Sequence, residues 1–82
     1  MPNKIYMRNG CGYCTAAVRF FEEKKIDVEV LNRDNNDFTQ EEFYDEFGVF
    51  ATYPQIIIWN KKIGGYTDLM SYNDSCMTGG WS

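Results

Sequence analysis

The run Ile56-Ile57-Ile58-Trp59 constrains this chain more than any other stretch. A strand with one wet face alternates apolar and polar residues. This one does not, so Gln55 to Trp59 reads as a strand covered on both faces. Apolar layers must then lie above and below the sheet that holds it. With 82 residues, 44% of them hydrophobic and 17% aromatic, the chain can build one modest core, taken here as a single domain over 1–82. The same composition is too apolar for a disordered chain.

The other elements follow from local pattern. Lys4 to Arg8 reads as a strand with Ile5 and Met7 on one face and Tyr6 on the other. Asn9-Gly10 breaks it, and a helix begins around Cys11–Tyr13. Cys14, Ala17, Val18 and Phe21 form its apolar stripe. Asp27 to Leu31 is a second strand, with Val28 and Val30 on one side, and the polar stretch Asn32 to Asp37 is a loop. Thr39 and Glu42 have the spacing of a capping box, Phe38 can staple onto Phe43, and Gly48 is a natural stop after Phe47. After the isoleucine strand, Asn60-Lys61 is expected to turn and Lys62-Ile63 to return antiparallel until Gly64-Gly65. A last helix is expected from Thr67 or Asp68, with Leu69, Tyr72 and Cys76 on its apolar stripe. The tail from about 77 is expected to be mobile, with Trp81 able to dock. The large aromatics Phe20, Phe21, Phe43, Phe47 and Phe50 are most simply core. The order is β-α-β-α-β-β-α: an α/β fold with a parallel start and an antiparallel hairpin at the end.

Charge and residue inventory remove several function classes. Twelve acidic and eight basic residues give a net charge of -4, which argues against nucleic-acid binding. No apolar run approaches the roughly 20 residues of a membrane span, so no membrane role and a cytoplasmic location are expected. The chain has no histidine, which excludes Cys-His and Ser-His pairs and histidine metal ligands. Three cysteines cannot form a fully paired secreted framework.

Two of those cysteines form Cys11-Gly12-Tyr13-Cys14 at the strand-to-helix junction. Thiols react as thiolates, and a free cysteine is only about 3% ionised at pH 7. At the start of a helix, unpaired N–H groups and the positive end of the dipole favour a thiolate. Arg8 and Lys4 add positive charge nearby. Cys11 is therefore expected to attack and Cys14, one turn inside, to resolve. A structural zinc site would need two more ligands, and only Cys76 remains.

Two further segments carry possible chemistry, each with a plain alternative. Thr52-Tyr53-Pro54 precedes the isoleucine strand. Its proline is either an edge device or a cis-proline whose neighbours pair with an extended substrate. Gly64-Gly65-Tyr66-Thr67-Asp68 leads into the last helix. It is either a turn with an N-cap or a site for an α-amino acid end, with N–H groups for a carboxylate and Asp68 for an ammonium. Cys76 reads as a buried small hydrophobe, with regulatory oxidation the lesser alternative.

Taken in order on matching elements, these three segments resemble those of the glutaredoxin family, and the resemblance runs from Lys4 to about Tyr72. It implies a thioredoxin-like fold with a central four-stranded mixed sheet and helices on both faces. It also implies glutathione as the reductant, with protein disulfides and glutathione mixed disulfides as substrates. Cys11 would be the nucleophile, Cys14 the resolving cysteine and Pro54 the cis-proline. The Tyr53 backbone, beside Thr52, would pair with the cysteinyl part of glutathione. Gly65, Thr67 and Asp68 would hold its γ-glutamyl end, and Tyr13 and Arg8 would flank it. The resemblance makes ribonucleotide reductase a candidate partner of a monomeric protein. Three residues depart from the family pattern: Gly12 replaces the usual proline, Tyr53 the usual valine, and no basic residue lies between Phe47 and Thr52. Gly12 keeps open a second reading, a dimer sharing a [2Fe–2S] cluster held by Cys11 and glutathione. A thioredoxin-type carrier fits less well, given Tyr13, the Thr67-Asp68 pair and the absence of a tryptophan before Cys11.

Overall fold

The computed structural model describes residues 3–75. Four strands form one mixed sheet in the order β2-β1-β3-β4: β1 is Lys4–Met7, β2 Glu29–Asn32, β3 Gln55–Ile58 and β4 Lys61–Gly64. β1 runs parallel to β2, with Met7 opposite Asn32, and antiparallel to β3, with Ile5 opposite Ile56. β3 is thus an interior strand. Ile56 and Ile58 are buried in the main core cluster, and Ile57 is buried outside it.

Helices α1 (Gly12–Glu23) and α3 (Tyr66–Ser75) supply Ala17, Phe21 and Leu69 to that cluster, against Ile5, Ile56 and Ile58. Each large side chain so buried stabilises the fold by roughly 1.5–3 kcal/mol. Helix α2 (Gln40–Phe47) covers the opposite face, where Tyr6 meets the rings of Phe38, Phe43 and Phe47. Its capping box is formed. Glu42 N–H donates to Thr39 Oγ1 at 3.1 Å, and Thr39 N–H donates to Glu42 Oε1 at 2.8 Å. Phe38 stacks on Phe43 at 5.8 Å, closing the staple.

Several boundaries differ from the sequence reading for local reasons. β2 covers Glu29–Asn32 instead of 27–31, because Asn3 Nδ2 takes the Asp27 carbonyl before pairing begins. The 32–37 loop contains a 3-10 turn, Arg33–Asn35, which Asn32 caps by accepting from Asp34 N–H. The β3–β4 turn falls at Trp59-Asn60, both left-handed at φ 52 and 65, so Trp59 leaves the strand and is exposed. α3 starts at Tyr66, because Gly65 N–H donates to the Asp68 carboxylate and Gly65 C=O accepts from Leu69 N–H. Phe50, assigned to the core above, is 95% exposed. Cys76, Trp81 and the tail lie outside the described residues.

Candidate active site

The β1–α1 junction places Cys11 as the N-cap of α1 in extended conformation, φ -105 and ψ 108. Its Sγ accepts from Cys14 N–H at 3.3 Å, so one orphan amide of the first turn points at sulfur. The thiol also faces Tyr53 C=O at 3.8 Å. Cys11 is half-buried, whereas Cys14 is fully buried, and both are free thiols. Burial pushes the Cys14 thiol up to about 12, with a hydrogen bond to Cys11 and the Cys11 charge adding to it. A backbone hydrogen bond from Arg8 and the Arg8 charge pull the other way. Two sulfurs one helical turn apart are therefore chemically unequal.

The Tyr53–Pro54 bond is cis, and Pro54 is fully buried. Thr52, Tyr53 and Pro54 line a groove of about 310 Å³ whose other wall is Gly64–Asp68. Tyr13 lines it too, and its ring lies 5.8 Å from that of Tyr66. Gly64 is left-handed, at φ 117, and a Cβ there would lie 2.5 Å from Asp68 Oδ2, so the wall requires glycine at this position. Seven of the eight residues expected around the cysteines meet in this groove: Tyr13, Thr52, Tyr53, Pro54, Gly65, Thr67 and Asp68 all line it, while Arg8 does not.

Arg8 stands instead with its guanidinium 5.7 Å from the Tyr53 ring centroid, and Arg33 stands at the same distance from that ring. Phe43 stacks under the same ring at 4.3 Å and 14°. Burial raises the Tyr53 phenol above its ordinary value, while Arg33 and Arg8 pull it back. The sequence reading did not find Arg33. The signal was the parallel register: with Met7 opposite Asn32, the next residue on each strand is an arginine. Side-chain bonds fix this arrangement. Asn32 Nδ2 donates to Asn9 Oδ1 at 2.9 Å, and Asn9 N–H donates to Asp34 Oδ2 at 2.7 Å, tying the loop before Cys11 to the loop carrying Arg33. Gly64 and Tyr66, given no role of their own within the Gly64–Asp68 segment, line the groove as well, as does Gln55.

This geometry can be set beside known proteins. The family model for glutaredoxin matches residues 3–63. Glutaredoxin 1 of Rickettsia typhi is 37% identical over 70 residues, which are 82% of this chain and 65% of that protein. Glutaredoxin 1 of Rickettsia prowazekii is 36% identical, over 82% of this chain and 72% of its own length. The chain thus spans about two thirds of the curated relatives it matches. Among solved structures, glutaredoxin 1 of Francisella tularensis, complexed with cacodylate, superposes with a TM-score of 0.76 at 36% identity, covering 93% of this chain and 95% of that one. Reduced Escherichia coli glutaredoxin gives 0.78 at 25% identity, covering 96% and 100%. A buckwheat glutaredoxin–glutathione complex gives 0.77 at 23% identity, covering 94% and 73%, and shares the fold. The architecture is thioredoxin-like, and the chain belongs to the glutaredoxin family.

Proposed function

We propose that the chain is a glutathione-dependent thiol–disulfide oxidoreductase acting on protein disulfides and glutathione mixed disulfides. The observation that carries this reading is the Cys11 thiol, capped by the Cys14 amide and facing Tyr53 C=O beside the groove. The Cys11 thiolate attacks one sulfur of the substrate disulfide. A Cys11–substrate disulfide forms, the original bond breaks, and the other sulfur leaves as a thiolate that takes a proton. For a protein disulfide, Cys14 then loses its proton and attacks Cys11, releasing the second substrate thiol and closing Cys11–Cys14. One glutathione thiolate opens that bond at Cys11, and a second removes the bound glutathione as glutathione disulfide. Two electrons pass from two glutathiones to the substrate.

The inequality of the cysteines orders these steps. Before reaction, Cys14 is held protonated by burial and by Cys11 itself. Once Cys11 is in a mixed disulfide it bears no charge, so two of the causes that raise Cys14 are gone while Arg8 remains. The first step thereby arms the second. In the groove, Thr67 and Asp68 suit the γ-glutamyl end, Asp68 facing its ammonium. The Tyr53 backbone suits the cysteinyl part, and the Arg8–Arg33 pair suits the glycine carboxylate. A reducing, cytoplasmic setting fits such a cycle, and ribonucleotide reductase is one candidate disulfide partner.

Turnover of a glutathione mixed disulfide, with glutathione and its recycling reductase, tests the reading. We expect activity in the wild type, none in Cys11→Ser, and retained deglutathionylation in Cys14→Ser. An active Cys11→Ser variant would overturn the role assignment. The cluster-carrying dimer draws support from Gly12 alone. The described residues of one chain contain no group of three metal-ligating side chains, so a cluster would need ligands from outside the chain. A coloured, glutathione-dependent dimer purified anaerobically would favour it.

A further inference from the structure

We propose that the Val49-Phe50 turn is a substrate-specificity element. It would select polypeptide disulfides that carry an apolar side chain within about three residues after the cysteine that Cys11 attacks. The proposal rests on the oxidoreductase reading above and names its preferred polypeptide substrate.

The turn is closed by a hydrogen bond and displays its side chains. Gly48 ends α2 at φ 97, and Ala51 N–H donates back to Gly48 C=O at 3.2 Å. That bond leaves Val49 and Phe50 at the two corners, 63% and 95% exposed. Scattered exposed apolar residues are ordinary. Two adjacent ones at the tip of a closed turn, in the segment that leads into the groove wall at Thr52, form a surface with a direction.

Glutathione leaves this surface unused. Its γ-glutamyl end suits the Thr67-Asp68 side of the groove, and its glycine carboxylate suits the two arginines at Tyr53. Beyond its cysteine it has only glycine, which offers no side chain. A polypeptide lying in the same direction along Thr52-Tyr53 continues past that end, antiparallel to the chain, toward Ala51 and Phe50. From Phe47 to Thr52 there is no charged residue, so an apolar side chain is what this segment can reward. The chemistry is unchanged: the Cys11 sulfur bonds to the attacked substrate sulfur, the other leaves as a thiolate, and the two electrons come from glutathione. The turn acts on capture of the substrate.

Two synthetic peptides test this, each with one intramolecular disulfide, differing only in leucine or serine at the second and third positions after each cysteine. The disulfide of glutathione with cysteine serves as the third substrate. Wild-type protein should show a kcat/KM about tenfold higher for the leucine peptide. Phe50→Ala should remove most of that preference while leaving turnover of the glutathione–cysteine disulfide unchanged, and Val49→Ala should remove a smaller part. A preference that survives Phe50→Ala, or an equal loss on all three substrates, overturns the proposal. A wild-type dimer that Phe50→Ala dissociates in sedimentation overturns it in favour of self-association. Wild-type turnover of the glutathione–cysteine disulfide without peptide discrimination sinks this proposal alone. No turnover of any substrate sinks the oxidoreductase reading and this one with it.

Discussion

On the α1/α3 face of the sheet the buried side chains are mostly aliphatic: Ile5, Ala17, Ile56, Ile58 and Leu69 around the single ring of Phe21. On the α2 face rings dominate: buried Phe38 and Phe43 pack with half-buried Tyr6 and Phe47, and Tyr53 stacks at the end of the row. Aliphatic packing is close but non-directional, and Cys14 is buried on the same helix, α1, that brings Ala17 and Phe21 to it. Ring packing has orientation, and it ends at a tyrosine that meets two guanidinium groups. One face therefore sets stability and the state of the resolving thiol. The other carries the orientation of Tyr53, and with it one wall of the groove.

The largest effects should separate the faces. Phe21→Ala should cost about 3–5 kcal/mol of stability by denaturant unfolding, and the molecules that remain folded should keep their KM for a glutathione mixed disulfide. Phe43→Ala should cost a similar amount, about 3–5 kcal/mol, and should also raise KM, because Tyr53 loses the ring beneath it. An unchanged KM in Phe43→Ala would break the contrast.

Alkaline unfolding probes both faces at once. Cys14 is raised from an ordinary 9.0 to about 12 in the folded protein. Between those values the unfolded chain has lost the proton and the folded chain keeps it, so stability is full below pH 9 and falls as pH rises toward 12. Tyr6 and Tyr53, both raised above 10.0 chiefly by burial, act with the same sign. Cys14→Ala should therefore hold its stability from pH 9 to 10 while the wild type loses some. Above pH 10 both should decline through the phenols of the aromatic face, the wild type more steeply because Cys14 keeps contributing until about pH 12. Parallel curves from pH 9 upward would show that Cys14 contributes nothing.

The next effect belongs to the aromatic face alone. Arg33→Gln should raise KM for the glutathione mixed disulfide about tenfold, equivalent to about 1.4 kcal/mol, with stability unchanged. An unaltered KM would leave the glycine carboxylate to Arg8.

What the sequence made legible follows the range of the forces involved. The covered strand, the capping box and the strand–cysteine–helix junction are set by residues a few positions apart, and each was readable. The missed features depend on register between distant segments. Arg33 reaches Tyr53 only because β2 lies parallel to β1, with Met7 opposite Asn32. The turn at Trp59-Asn60 is fixed by pairing of Ile58 with Lys61, and an apolar run alone gives no reason to end the strand before its tryptophan. Phe50 was assigned to the core by residue type, yet the Gly48–Ala51 turn holds it outside.

The smallest test asks how far α2 depends on its own local signals. Thr39 accepts from Glu42 N–H and its amide donates back to the Glu42 carboxylate. Thr39→Ala removes the first bond, and the helix should lose about 1 kcal/mol. If α2 is held chiefly by its rings against Tyr6, that loss should appear in global stability with no change in KM, because Phe38, Phe43 and Phe47 stay packed. If the cap instead sets the helix position, Phe43 shifts beneath Tyr53 and KM rises as in Phe43→Ala. A rise in KM from so small a change would mean that the aromatic face transmits local order at the start of α2 all the way to the groove.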